Sequence, residues 1–112
     1  MSGTLSETLK VIQARVVAGQ IRVSEHGFRQ LREDDIDLSG VISGVASAVV
    51  VEDYPNYAKG PCVLCLQRDD KGNPNHVLWG LAANNSTLAT IIAAYRPAPD
   101  RWMDDLMTRR PR

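Results

Sequence analysis

The chain has 112 residues, 44% apolar and 23% charged, the proportions of one ordinary globular domain spanning residues 1–112. Thirteen basic residues balance thirteen acidic ones, which argues against the broad positive surface of a protein that holds nucleic acid chiefly by charge and leaves room for a local pocket only. No apolar run of about 18 residues exists to span a membrane. Met1 to Glu7 has neither the basic start nor the apolar stretch of an export signal, so with two cysteines a reducing cytoplasm is the expected setting.

Thr4-Leu5-Ser6-Glu7 reads as a capping box, and Leu5, Leu9, Ile12 and Val16 follow at helical spacing until Gly19. This predicts a first helix over roughly 5–18. Ile21-Arg22-Val23 reads as a short extended link. Ser24 caps a second helix, whose Phe28 and Leu31 define a narrow stripe expected to be buried against the sheet. Asp37 caps a third, with Leu38, Val41, Ile42 and Val45 on one face.

From residue 48 the period changes to that of strands. Ala48 to Val51 is a β-branched run that ends at Tyr54-Pro55. Cys62–Arg68 is the second strand, His76–Ala82 the third and Leu88–Tyr95 the fourth, with turns at Asp69–Pro74 and at Asn84-Asn85. Pro97 and Pro99 break the last strand, and Asp100 caps an amphipathic C-terminal helix over Arg101 to about Arg109. The expected class is therefore α+β: N-terminal helices packed on a four-stranded antiparallel sheet, then a C-terminal helix.

The histidines are the natural proton carriers at neutral pH. His26 opens the second helix, with Arg29 and Arg32 following it. A His beside an Arg suits phosphodiester cleavage, one moving a proton and the other steadying phosphate charge. The same spacing also fits a solvated helix face. If Ala83 pairs with Ser86 across a two-residue turn, His76 lies opposite Ala93, and Tyr95 is its diagonal neighbour on the same face. A histidine bonded to backbone at a sheet edge is the alternative. Arg96 stands in a loop that a rigid sheet could aim at a ligand. Trp102 reads as the anchor of the C-terminal helix. Cys62 and Cys65, three apart on a strand, face opposite sides, so one metal cannot easily take both and they read as buried thiols.

Ser24-Glu25-His26-Gly27-Phe28-Arg29, Arg32, Asp35-Ile36, Glu52-Asp53-Tyr54-Pro55, Gly60-Pro61-Cys62, His76-Val77, Tyr95-Arg96-Pro97 and Trp102 come in the order and spacing of a known pattern. Over about residues 20–104 the chain resembles the domain of unknown function numbered 4258, a family similar to RelE-like and BrnT-like toxins. That resemblance implies a RelE-like fold and a small metal-independent endoribonuclease with no cofactor, which cleaves RNA by 2′-OH attack and is encoded beside a small antitoxin protein. It implies His26, Arg29, His76 and Tyr95 as catalytic residues, with Arg32 and Arg96 binding substrate. His26, His76 and Arg29 would then share one concavity, since base, acid and cation must converge on one phosphate. RelE-type toxins are usually strongly basic and this chain is neutral, which sets ribosome-dependent cleavage in question. A non-catalytic protein- or RNA-binding module of the same fold is the alternative.

Overall fold

A computed structural model describes residues 6–82 and 87–111. The expected Thr4 cap and the Asn84-Asn85 turn, with its Ala83–Ser86 pairing, lie outside these residues. Ser6 caps α1 (Glu7–Val17), its hydroxyl accepting from the Leu9 amide at 3.1 Å. Leu9, Ile12 and Val16 on one side of α1 are buried, as their spacing predicts. Ser24 caps α2 (Glu25–Glu33) by accepting from Gly27 N, and Asp37 caps α3 (Leu38–Gly44). A 3-10 turn, Val45–Ser47, leads into the strands.

The sheet corrects the expectation of four antiparallel strands. It has five, β1 (Ile21–Val23), β2 (Val49–Tyr54), β3 (Cys62–Arg68), β4 (Pro74–Leu81) and β5 (Ala89–Tyr95), in the order β1-β5-β4-β3-β2. The link Ile21-Arg22-Val23 is β1, parallel to β5, with Val23 opposite Ile91, so the sheet is mixed. Three residues are too few to show a strand period. Their partner, 68 positions on, leaves no local trace.

Successive strand residues point to opposite faces. Val63, Cys65, Val77, Trp79, Ile91 and Ala94 face the helices and form the core with Leu9, Ile12, Val16 and Leu31. Trp79 is fully buried there; its Nε1–H donates to Gln67 Oε1 at 2.7 Å, and Gln67 Nε2 donates to the Val41 carbonyl at 2.8 Å. Paired in this way, each buried polar group recovers through its hydrogen bonds the cost of leaving water. Cys65 lies in this core, opposite Val77, whereas Cys62 sits on the other face, opposite Gly80. The cysteines thus face opposite sides, as strand parity requires.

Helix α2 does not lie flat on the sheet. It continues from β1 along the edge of β5 and takes over that strand's hydrogen bonds. Ser24 Oγ donates to Ile92 O (2.9 Å), the Ala94 amide donates to Gln30 Oε1 (2.9 Å), and the Arg96 amide donates to Asp34 Oδ2 (2.8 Å). Gly27 permits the approach, since a Cβ there would stand 2.8 Å from Ile91 O and 3.3 Å from Ile92 O. An open edge is thereby closed by side chains. This geometry also corrects the expected Phe28–Leu31 stripe: Gly27 and Leu31 turn inward, while Phe28 is 54% exposed.

No C-terminal helix forms among the described residues. Residues 97–111 make a strap over the face opposite the helices, closed as a narrow loop by a bridge between Trp102 and Arg109 and by Met103 N donating to Thr108 O at 2.8 Å. Asp105 is the reason. Its carboxylate accepts from Met107 N, Thr108 N and Thr108 Oγ1 at 2.9–3.1 Å, a local alternative to helical bonding. Leu106 follows at φ +60°, outside helical geometry.

Candidate functional site under the C-terminal strap

His76, Leu78 and Gly80 alternate on β4 and face the strap side. His76 lies directly opposite Tyr95, two positions from the expected Ala93. Near the turn, Leu81 pairs with Ala89, one residue off the expected register, which by itself would put His76 and Tyr95 on opposite faces. A bulge at Ile92, between the Trp79–Ile91 and Leu78–Ala93 pairs, adds a second offset and restores the parity. The two rings therefore share a face, with centroids 5.3 Å apart and edge to face.

His76 is fully buried. Its Nε2 lies 2.7 Å from the Leu106 carbonyl and its Nδ1 3.3 Å from the Tyr95 hydroxyl. A carbonyl holds no proton, so Nε2 carries the hydrogen, and in the neutral ring Nδ1 is left to accept from Tyr95. Burial pushes the imidazole below its ordinary range, aided by the Arg109 charge; the Leu106 carbonyl and Glu52 pull the other way. Burial likewise raises the Tyr95 phenol. The pair at neutral pH is thus a neutral imidazole and a protonated phenol.

Trp102 covers the imidazole edge to face, centroids 4.3 Å apart, and is itself buried. Trp102 is an anchor, as its sequence context suggests, but it anchors a strap rather than a helix. The Arg109 guanidinium sits 4.7 Å from the Trp102 ring centroid and grips Glu52 with two bonds, Nη2–Oε1 at 2.9 Å and Nε–Oε2 at 3.2 Å. That grip holds the Glu52 carboxyl below its usual range, and Tyr54 donates its hydroxyl proton to the same carboxylate. Tyr54 is pushed up to about 12, by desolvation first and then by Glu52.

Above Tyr95 opens a cavity of about 600 Å³, lined by Gln30, Tyr95, Arg96, Ala98, Asp100, Arg101, Trp102 and Arg109. Three guanidinium groups around one tyrosine make it suited to an anion. Arg96 is held in place, Nε donating to Asp34 O at 2.9 Å and Nη2 to Asp35 O at 3.0 Å. His26, Arg29 and Arg32 stand exposed on α2 and do not line the cavity. Arg32 instead borders a groove of about 560 Å³ with Phe28, Leu31, Ile36 and Leu38. The structure brings together His76 and Tyr95, with Arg96 beside them, and leaves the α2 residues apart from that pair.

Glu52, Arg101, Trp102 and Arg109 are the members that sequence reasoning did not assign to the site. Glu52 and Arg109 are 57 positions apart, beyond any spacing rule. The available signal was Glu52-x-Tyr54 on a strand, which puts both side chains on one face. Among the described residues no group of three or more His, Cys, Asp or Glu could hold a metal ion, and no helix is long and apolar enough to cross a membrane.

No curated protein and no solved structure matches the chain. A family model does, over residues 23–96, a stretch that runs from the end of β1 through α2 and the sheet to Arg96; the chain belongs to the family described as Domain of unknown function (DUF4258).

Proposed function

We propose that this chain is a metal-independent endoribonuclease, acting in the cavity above Tyr95. The observation that carries the reading is the Tyr95 hydroxyl, 3.3 Å from a buried neutral His76 on the floor of a cavity ringed by Arg96, Arg101 and Arg109. The guanidinium groups hold the phosphate. As the RNA 2′-oxygen attacks phosphorus, its proton passes to the Tyr95 oxygen, and Tyr95 hands its own proton to His76 Nδ1. The Leu106 carbonyl and the Glu52 carboxylate favour the imidazolium so formed. The P–O5′ bond breaks, leaving a 2′,3′-cyclic phosphate and a 5′-hydroxyl. The leaving 5′-oxygen takes its proton from solvent or from His26, which stands outside the cavity on the helix that carries Gln30. Arg29 and Arg32 contact the flanking strand. The resemblance to toxin families extends the proposal to a cognate small antitoxin protein that blocks the cavity.

A second reading rests on a specific observation. Both nitrogens of His76 are engaged and the ring has no exposed surface, which suits a structural histidine beneath a non-catalytic RNA- or protein-binding cavity. Tyr95→Phe separates the two readings, because it keeps the ring and removes the hydroxyl. Purified wild type in chelator should cleave RNA, with the rate falling by about 10²–10⁴ in Tyr95→Phe or His76→Gln and growth arrest on expression lost in parallel. Wild-type protein that binds RNA but neither cleaves it, with or without ribosomes, nor arrests growth would leave the binding module standing.

A further inference from the structure

At the far end of the same sheet face lies a second cavity, of about 340 Å³, lined by Arg22, Tyr57, Lys59, Gly60, Pro61, Gly80, Leu81, Ala82, Thr90 and Ile92. Its placement follows from register. Thr90 pairs with Gly80, Ala93 with Leu78 and Tyr95 with His76, alternate β4 positions that all face one way. Arg22 on β1 lies opposite Thr90 and shares that face. Both cavities therefore open on the side away from the helices. Five positions of β5 separate Thr90 from Tyr95, about 17 Å at the usual strand rise. At about 3.4 Å per phosphate along a stacked strand, that span covers on the order of five nucleotides.

The chemistry of the second cavity differs from that of the first. Its floor is apolar, built from Pro61 and Ile92, with the Ile92 side chain lying over Gly80, where a Cβ would collide with it. Tyr57, in the loop between β2 and β3, is 55% exposed, so its ring is open to stacking. Arg22 and Lys59 are exposed, no acidic residue lines the cavity, and no ion pair holds either cation among the described residues. An apolar floor, an open aromatic ring and two unpaired cations are what a base and its phosphates require. The strap cavity, by contrast, has guanidinium groups and no exposed stacking ring.

We infer that this cavity is a second nucleotide subsite, in which Tyr57 stacks on a base of a single-stranded RNA while Arg22 and Lys59 hold the flanking phosphates, several nucleotides from the scissile bond. The inference rests on the RNA-cleaving reading of the strap cavity and adds to it an anchor for the strand. It also explains how a chain of zero net charge holds RNA: the contacts are two local sites on one face, joined by an uncharged stretch of Leu78, Ala93 and Ile92.

The test is binding of fluorescent single-stranded 2′-O-methyl oligonucleotides, which resist cleavage, at lengths of about three and about twelve nucleotides. Wild type should bind the longer strand about tenfold more tightly than the shorter. Tyr57→Ala should abolish that advantage without changing the salt dependence, and Tyr57→Phe should retain it. Arg22→Ala with Lys59→Ala should reduce the slope of log K against log salt by about 1.4, two phosphates at about 0.7 each. All three positions are exposed, so folding, checked by circular dichroism, is not at stake. If these variants bind the long strand like wild type while Arg101→Ala with Arg109→Ala loses it, the subsite is refuted and the strap cavity stands. If the Tyr57 and Arg22/Lys59 variants lose the long strand and the strap variant keeps it, the subsite stands and the strap cavity is refuted. Wild type that binds neither strand refutes both.

Discussion

Acidification should unfold this protein through His76. The ring has no exposed surface, it is covered by Trp102 and Tyr95, and burial lowers its proton affinity below that of an exposed imidazole. In the unfolded chain it titrates near 6.5. Between that value and the lower folded one, the unfolded state binds more protons, so stability rises with pH. The contribution is complete above about pH 6.5 and is lost as the pH falls through the folded value. Its slope is at most about 1.4 kcal/mol per pH unit, the worth of one proton. Glu52, Asp69 and Asp105 also have lowered values, and their contributions also fall with acid, but only in the carboxylate range. Urea unfolding of wild type and His76→Gln at steps between about pH 7.5 and pH 5 isolates the histidine. The variant, whose amide can still donate toward Leu106, is less stable at neutral pH, and the gap should narrow as the pH falls. A constant gap over that window, or one that widens in acid, would refute a buried neutral imidazole.

Gly27→Ala gains about 1 kcal/mol of helix propensity but drives a Cβ to 2.8 Å from the Ile91 carbonyl; a net loss of about 1–2 kcal/mol is expected in denaturant melts, and an unchanged or raised midpoint would mean that α2 does not seal the β5 edge. Cys65, fully buried with its thiol pushed up to about 12 by desolvation, should resist a thiol reagent in native protein and react only on unfolding, while the purified protein carries no zinc and no Cys62–Cys65 disulfide; about one equivalent of zinc, or a disulfide found by mass spectrometry, would overturn the reading of two buried thiols.

Strands β2 to β5 were legible as apolar, β-branched runs bounded by Pro, Gly and Asn turn residues. Val63, Cys65, Val77 and Trp79 alternate with residues of the other face, and the opposite facing of Cys62 and Cys65 follows from spacing alone. Helices α1 to α3 were legible from the Leu9, Ile12, Val16 stripe and from the Ser24 and Asp37 caps, although Ser6 caps α1 and Phe28 of the expected α2 stripe is exposed. What the sequence hid was long-range or strained. β1 becomes a strand only beside β5, and the strap's amphipathic spacing is overruled by three local bonds to Asp105 and a positive φ at Leu106. Phe28 was misread because helical periodicity defines a face but not what that face meets; here the inward side of α2 meets backbone, and Gly27 faces it. The shared face of His76 and Tyr95 survived because two one-residue register offsets add to two and so keep the parity. The shared face was right although the partner was two positions away.

The family match ends at Arg96, and the strap begins there. His76 and Tyr95 lie within the matched stretch, but Trp102, the Leu106 carbonyl and Arg109, which bury the imidazole and fix its tautomer, lie beyond it. The proton affinity of His76 is therefore set by a segment outside the common domain, one fastened to the sheet by packing, by the His76 Nε2–Leu106 O hydrogen bond and, among the described residues, by one side-chain ion pair, Arg109–Glu52. That ion pair is largely solvent-exposed, with the arginine side chain 60% and the glutamate 32% accessible, and such pairs are worth about 1 kcal/mol or less. Trp102 supplies the larger share of the hold, because a buried indole removes far more apolar surface from water than an exposed ion pair gains. Arg109 is thus the member of the cavity whose loss costs little stability, and its guanidinium is the group through which phosphate contact and strap closure can be separated.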